Sequence, residues 1–345
     1  MMNEESQEPP AEHHRRVRYR GTHPRRFGEK YKELEGREID KIIRSGKTPA
    51  GMHRSICVEE ILAALELRPG LAGVDATLGY GGHSQAILTR ILPGGILYSL
   101  DVDAVELAKT SARLREAGFG EEVLQVRQLN FAGIGKLLAE REQGFDFVLA
   151  DLGVSSMQID NPERGFSFKR PGPLDLRLNS TRGATGREVL RKMGEPAIEK
   201  MLKINADEPF AAEIAAVLFA KREKIETTLD YADAIRHSLN RKALDPDQLK
   251  ETLQRCFQAL RIAVNDEFSA LDSLLNSLPL VLKPGGRAAI LSFHSGEDRR
   301  VKHAFKDGLA SGVYQAIDGP IRASAREQFE NPRSKCAILR TARLA

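Results

Sequence analysis

Apolar residues alternate between two spacings along the first half of the chain. Short apolar runs of the kind that form buried strands lie at residues 71–79, 95–101, 123–130 and 145–151. Segments with apolar side chains at helical spacing precede or separate these runs, at residues 58–67, 83–92 and 105–117. Strands that alternate with helices in this way predict βαβ units and a parallel sheet.

The alternation stops after residue 160. Residues 161–260 hold several helical patterns and no strand-like run, after which one helix (270–282) and two strands (286–293 and 335–343) are predicted. We therefore expect an α/β fold with a mostly parallel, doubly wound sheet, built from residues 51–160 and 261–345 around an inserted all-helical domain at residues 161–260. Residues 1–50 are a polar, basic N-terminal extension with one short helical pattern at residues 31–44.

Composition narrows the class of protein. The chain has 345 residues, of which 41% are hydrophobic and 29% charged, as in globular proteins. It contains no run of about 20 apolar residues and no apolar core near its start, so we expect a cytoplasmic protein without a membrane span or secretory signal. The three cysteines match no zinc or disulfide spacing, so we expect no metal site and no disulfide framework.

The net charge of +4 is mild, but basic residues collect at both ends of the chain. Residues 13–32 hold eight Arg or Lys against one acid, and residues 320–345 hold six against two. Such basic ends are attracted to a phosphate backbone, although a solvated tail that binds nothing has the same composition.

The segment DATLGYGGHS, residues 75–84, predicts a cofactor site. Its glycines let the backbone approach a ligand closely, and the amides at the start of the following helix favour an anionic group. Asp101 ends the second predicted strand, where an acid can accept hydrogen bonds from ribose hydroxyls. Asp75 is placed to cap or orient the loop.

These residues suit S-adenosylmethionine better than a dinucleotide. The third glycine of the dinucleotide fingerprint is missing, and Tyr80 and His83 would crowd a pyrophosphate. A nicotinamide-dependent dehydrogenase is the less favoured alternative. Phe131, after the third strand, suits the face of an adenine, although a core aromatic is the plainer interpretation.

Polar residues collect after the fourth and fifth predicted strands. The segment after Asp151 contains Ser155, Ser156 and Gln158, and catalytic groups in such sheets stand at this end of a strand. His294 and Asp298 follow the strand at residues 286–293, in a segment that we interpret as a turn. A Ser/His/Asp hydrolase site is disfavoured because no GxSxG elbow is present. Asn265 or Asp266 is expected to cap the helix that follows.

Six motifs stand in order across residues 53–345: DATLGYGGHS, DLGVSSMQIDNPERGFSF, GPLDLR, ALRIAVNDE, SFHSGEDR and NPRSKCAILR. On these motifs the chain closely resembles the RsmH (MraW) family of methyltransferases. The resemblance implies a class I methyltransferase sheet with a helical insertion, and S-adenosylmethionine as the cofactor. It also implies that the substrate is small-subunit (16S) ribosomal RNA, free or in the 30S subunit, methylated on the exocyclic N4 amine of a decoding-region cytidine.

The resemblance assigns cofactor contacts to residues that match the family's motifs: Gly81, Gly82, His83, Asp101, Phe131, Asp151 and Gln158. We expect Asp151, Ser155 or Ser156 to align the target amine, and His294 and Asp298 to line its pocket. Phe166 or Phe168 is expected to stack on the flipped base. The basic ends and four residues of the insertion are expected to hold the RNA backbone: Arg182, Arg187, Arg191 and Lys192.

Some positions depart from the family's usual motifs. Residues 53–56 read HRSI instead of HxPV, Met157 replaces a proline, and Gly296 replaces a leucine. The N-terminal extension is also longer than usual. These departures keep two alternatives open, a paralogue with another RNA or protein target and a non-catalytic ribosome assembly factor. Oligomeric state does not follow from the sequence.

Overall fold

Seven strands form one sheet in the computed structural model of the protein, which describes residues 55–345. The strands are β1 (Ala72–Asp75), β2 (Ile96–Asp101), β3 (Leu124–Gln128), β4 (Phe145–Asp151), β5 (Leu282–Ser292), β6 (Tyr314–Ile321) and β7 (Ile338–Leu344). Their order is β3-β2-β1-β4-β5-β7-β6, with the first five parallel and β7 antiparallel to both of its neighbours. This arrangement confirms the predicted class I methyltransferase sheet.

Helices cover both faces of this sheet and form a separate layer. They are α1 (Val58–Leu65), α2 (Gly82–Ile91), α3 (Ala104–Glu116), α4 (Ser156–Asp160), α5 (Gly186–Lys192), α6 (Glu195–Ala206), α7 (Ala211–Lys221), α8 (Thr228–Ser238), α9 (Pro246–Asn265), α10 (Glu267–Val281), α11 (Ser295–Ala310) and α12 (Ala325–Glu330). A 3-10 segment, Phe131–Ala139, follows β3. None of the described helices is long and apolar enough to cross a membrane.

The central strands bury both of their faces. Along β4, Phe147 and Leu149 pack with α1 and α2, whereas Val148 and Ala150 pack with α10 and the 3-10 segment. Gly73 of β1 lies directly beside the ring of Phe147, where an added Cβ would come within 2.1 Å of the ring. Glycine is therefore required there for β1 and β4 to pair with this core.

The helical layer has a hydrophobic core of its own, contributed by α5 to α9 and the segment before them. Tyr231 is completely buried there, and its hydroxyl donates to the carbonyl of Cys256 at 3.2 Å. The long helix α9 continues past residue 260, the predicted end of the insertion, and meets α10 at Asp266, whose φ is 49°. The helical layer is thus joined directly to the helix that packs on the sheet.

Most of the predicted elements are confirmed, with ends shifted by a few residues. Two predictions need correction: β6 was missed, and the turn expected at residues 294–300 is the start of α11. His294 is the N-cap of α11, and its ring accepts a hydrogen bond from the Glu297 amide. The helix predicted at residues 31–44 lies outside the described residues.

Candidate active site

A cavity of about 380 Å³ opens at the carboxyl ends of β1, β2, β4 and β5. One side, here called the glycine wall, consists of residues 76–83, Asp101 and Phe131. A second group of lining residues, here called the charged wall, consists of Gln258, Arg261, Glu267, His294 and Glu297. The end of β4, from Asp151 to Ser155 with Gln158, completes the lining.

The glycine wall presents backbone groups. Gly81 is the N-cap of α2 with a φ of 80°, and no side chain caps the first turn of the helix. A Cβ at Gly81 would lie 2.7 Å from a methyl group of Thr110, so the loop packs tightly on α3. The amides of Gly82 and His83 therefore form the uncapped end of a helix that borders the cavity, which favours a carboxylate ligand.

Asp101 supplies the acid at the end of β2. Its carboxylate accepts hydrogen bonds from the amides of Gly79 at 2.8 Å and Asp103 at 2.9 Å. Burial raises the pKa of Asp101, and these two hydrogen bonds act in the opposite direction. Each carboxylate oxygen keeps a further lone pair, so Asp101 can still accept from ligand hydroxyls.

Asp75 lies behind the loop and fixes its shape. It is completely buried and accepts hydrogen bonds from the Ser84 hydroxyl at 2.7 Å and the Thr77 amide at 3.1 Å. Burial raises the pKa of Asp75 above its ordinary value. Because Ser84 belongs to α2, Asp75 holds the start of that helix against β1. This agrees with the expected orienting role.

Asp151 and His83 lie side by side in the lining of the cavity. His83 Nε2 lies 3.4 Å from Asp151 Oδ2, but the two atoms are not aligned for a hydrogen bond. The amide of Asp151 donates to Thr77 Oγ1 at 2.7 Å, which fixes the end of β4 against the loop after β1. Asp151 Oδ1 is buried and has no hydrogen-bond partner among the described residues. A carboxylate oxygen in this state is a strong acceptor for a ligand N–H.

Neighbouring carboxylates shift the pKa of His83. Burial lowers the pKa of His83, but Asp151, and to a smaller degree the charges of Asp75 and Glu327, raise it by more. The net effect is a pKa above the usual value of a histidine. Asp151 therefore stabilises the charged form of His83 by more than burial destabilises it.

Ser155 and Gln158 hold each other through a capping box at the start of α4. Ser155 Oγ accepts from the Gln158 amide at 3.2 Å, and Gln158 Oε1 accepts from the Ser155 amide at 2.9 Å. Gln158 Nε2 also donates to Asp103, the N-cap of α3, at 3.1 Å. Both residues line the cavity. The side chain of Ser156 lies outside what the structure describes.

The charged wall is built from the Arg261–Glu267 ion pair and the neighbouring Glu297 and His294. Arg261 donates to both carboxylate oxygens of Glu267 at 2.8 Å. Glu297 is buried, accepts from the Phe293 amide at 2.8 Å and lies 3.2 Å from His294 Nε2. Burial raises the pKa of Glu297, but the neighbouring His294 and Arg261 lower it by more, so the net shift is downward.

The sequence placed His294 and Glu297 together at the end of a strand but gave no role to Glu297, Arg261 or Glu267. The motif ALRIAVNDE held the signal, because it contains both partners of the Arg261–Glu267 pair. Nor is Asn265 the helix cap that was expected. It accepts from the Leu178 amide at 2.7 Å and donates to the Leu176 carbonyl at 2.8 Å, and Asp266 at the N-cap position makes no side-chain cap.

Two expectations about the pocket are wrong. Asp298 does not line the cavity, because a two-bond ion pair at 2.7 and 3.1 Å holds its carboxylate against Arg340 of β7. Phe166 and Phe168 also stay away from the cavity, because they pack in the core of the helical layer. Phe293, at the end of β5, is an aromatic side chain that does line it.

Gly296, where the family's motif usually has a leucine, packs closely against the ring of Phe268. A Cβ at this position would lie 2.6 Å from the ring of Phe268. That ring packs against His294, with the centroids 5.9 Å apart. Phe268 therefore fills space that a larger residue at position 296 would need.

Cys57, Glu60 and Glu327 form a group with ligand atoms within 4.8 Å of one another. Burial and the charge of Glu327 raise the pKa of the Cys57 thiol to about 12, so the thiol is protonated at neutral pH. The Cys57 amide donates to Glu327, at 3.1 and 3.3 Å from its two carboxylate oxygens. We assign no metal to this group.

Comparison with known proteins adds a family and several relatives. Residues 50–345 match the model of the MraW methylase family. The chain is 49% identical over 348 residues to ribosomal RNA small subunit methyltransferase H 1 of Lachnoclostridium phytofermentans, covering 98% of this chain and 94% of that protein. It is 50% identical over 338 residues to ribosomal RNA small subunit methyltransferase H 2 of Alkaliphilus metalliredigens, covering 95% of this chain and 97% of that protein.

Proposed function

The chain belongs to the MraW methylase family, and we propose that it methylates the exocyclic N4 amine of a cytidine in the decoding region of 16S ribosomal RNA. S-adenosylmethionine is the methyl donor. The observation that carries the proposal is the half-buried Asp151, which lines the cavity and whose carboxylate has one oxygen, Oδ1, without a partner among the described residues. An amine brought to the end of β4 would complete the hydrogen bonds of this carboxylate.

The glycine wall fits the cofactor. The uncapped start of α2 at Gly81, Gly82 and His83 suits the carboxylate of its methionine part, and Asp101 suits its ribose hydroxyls. Phe131 would pack against its adenine, and Gln158 supports the wall through Asp103. When bound, the cofactor supplies an electrophilic methyl group on a sulfonium.

The residues of the chain have to position a weak nucleophile. The lone pair of a cytosine amine is delocalised into the ring, and a hydrogen bond from one N–H to the Asp151 carboxylate would aim the amine and localise that pair. Transfer forms the N4–carbon bond and breaks the sulfur–carbon bond, so the amine must release one proton. Asp151 is placed to accept this proton, and His83 beside it stabilises the carboxylate.

Several features support RNA as the substrate. Both relatives described above are ribosomal RNA small subunit methyltransferases by name. A second, open cleft of about 660 Å³ adjoins the cavity and is lined by Arg177, Asn179 and Arg182. Arg187 and Arg191 both pair with Glu226, so Arg182 is better placed to meet a phosphate. We infer that residues 161–260 form the RNA-recognition domain and that the enzyme acts in the cytoplasm.

Methyl transfer to small ribosomal subunits tests the proposal. Subunits from a strain lacking the gene are incubated with the protein and labelled S-adenosylmethionine, and the nucleosides are analysed by mass spectrometry. We expect the label in N4-methylcytidine. Label in another nucleoside would contradict the target, and cofactor binding without any label would contradict RNA methylation.

A further inference from the structure

Arg261 of the charged wall has hydrogen-bond donors for which the described part of the chain offers no acceptor. Its Nε and Nη2 atoms both donate to Glu267 at 2.8 Å, which occupies one edge of the planar guanidinium. Nη1 makes no hydrogen bond with residues 55–345, and 13% of the side chain is exposed. The free edge thus offers parallel N–H groups in a site that borders the cavity.

The position of Arg261 is fixed. Glu267 holds the guanidinium in a plane, and the carbonyl of Arg261 accepts from Asn265 Nδ2 at 2.8 Å. Asn265 in turn binds the backbone of residues 176 and 178. A guanidinium held on one edge loses little conformational entropy when its other edge binds a ligand.

The surrounding charges exclude an anionic ligand. Glu267 is paired with Arg261, and the buried Glu297 adds a second negative charge close to it. A phosphate or a carboxylate at the free edge would be a third anionic group around one cation. A neutral ligand with two adjacent acceptors suits this edge better.

We propose that Arg261 recognises the target base by donating to N3 and O2 of cytosine. These two acceptors are adjacent on the edge of the base next to the N4 amine, and guanidinium pairs with adjacent acceptors are a common form of base recognition. Adenine also carries an exocyclic amine but has no carbonyl, so Arg261 selects cytosine over adenine. This inference rests on the proposed function and adds a specificity-determining residue to it.

Variants of Arg261 test the assignment on small ribosomal subunits that lack the modification. Arg261→Gln should lower kcat/KM by about 10- to 100-fold, as expected for a lost bidentate contact to a base. Arg261→Lys keeps the charge but donates from one point, and should recover only part of the loss. The dissociation constant for S-adenosylmethionine, measured by calorimetry, should stay within about twofold for both variants.

Arg255→Gln is the matched control. Arg255 lies on the same helix, donates to the buried Glu208 at 2.7 Å and does not line the cavity. The Arg255→Gln variant therefore shows how much kcat/KM falls when an Arg–Glu pair on this helix is lost and no contact to the base is removed. A folded Arg261→Gln variant with the kcat/KM of Arg255→Gln would overturn the inference, and so would an equal loss of cofactor affinity.

A base analogue tests the same contact without a variant. Subunits reconstituted with 3-deazacytidine at the target keep the amine and O2 but carry C–H in place of N3. We expect kcat/KM of the unaltered enzyme to fall about tenfold, and an undiminished value would overturn the inference. If the enzyme methylates no cytidine in the natural subunit, the proposed function fails instead.

Discussion

The glycine wall and the charged wall face the same cavity but are built in different ways. The glycine wall comes mainly from two consecutive loops, and it presents backbone amides and one acid, Asp101. The charged wall joins the α9–α10 junction to the start of α11, and in it Arg261 balances the charge of Glu267. The difference suggests that one wall holds a ligand of fixed shape and that the other selects the molecule to be modified.

The largest effect is expected at Asp151, at the end of β4 in the lining of the cavity. Asp151→Asn keeps the shape of the side chain but replaces the orphaned acceptor with an amide. We expect kcat to fall about 100-fold or more, because the amine is no longer aimed and its proton has no acceptor. Methyl transfer to small subunits under saturating cofactor measures kcat, and calorimetry measures cofactor affinity.

Asp146→Asn is the control for this variant. Asp146 lies on the same strand at its other end, where it accepts from the Ala72 amide at 2.8 Å and from Lys283 at 2.8 Å. Its loss should lower stability without a selective fall in kcat. If Asp151→Asn keeps full turnover, Asp151 does not act on the amine and the charged wall would have to align it.

The next effect should be confined to the glycine wall. Asp101→Asn removes the charge that would accept ribose hydroxyls, and hydrogen bonds to a charged group contribute about 1.5–3 kcal/mol. We expect the affinity for S-adenosylmethionine to fall about 10- to 100-fold, measured by calorimetry. Glu140→Gln, an exposed acid that pairs with Arg127, should leave this affinity unchanged. If Asp101→Asn binds S-adenosylmethionine as tightly as the natural protein does, the glycine wall does not hold the ribose of the cofactor through Asp101.

Sequence reasoning found the glycine wall because its groups are local. The loop at residues 75–84 and Asp101 follow consecutive strands, so the strand pattern alone places them at one edge of a parallel sheet. It missed most of the charged wall because tertiary packing joins Arg261 to Glu297. It misplaced Asp298 because the ion pair with Arg340 depends on a long-range strand pairing between β5 and β7.

Gly296→Ala tests how tightly the charged wall is packed. The new Cβ would approach the ring of Phe268, whose exposure is 8%, so the ring or His294 must move. Overpacking of this kind costs about 1–3 kcal/mol. We expect a lower midpoint of thermal unfolding and lower kcat/KM, with cofactor affinity retained.

Two further variants sharpen that result. Gly135→Ala places a Cβ where no atom lies within 4 Å, so it should not lower stability. Combining Gly296→Ala with Phe268→Ala restores the space, and the double variant should lose less stability than the sum of the single variants. Additive losses would mean that Phe268 is not what excludes a side chain at position 296.

The smallest expected effect is a pH dependence of folding stability, which should arise from His83 on the glycine wall and not from the charged wall. The pKa of His83 in the folded protein is raised by Asp151, Asp75 and Glu327 against the effect of burial, so folding favours the imidazolium. The resulting stability is fully present below the ordinary pKa of 6.5 and is lost as pH rises through the raised value. On the charged wall, the pKa of Glu297 is lowered and that of Arg261 is raised, so this pair stays ionised across neutral pH.

We therefore expect the stability difference between the natural protein and His83→Gln to shrink as pH rises above 6.5, measured by thermal unfolding of the full chain. His303→Gln, on the exposed face of α11, is the matched control. A difference that does not vary with pH would show that the His83–Asp151 contact is not an ion pair, and both walls would then keep the same charges across neutral pH.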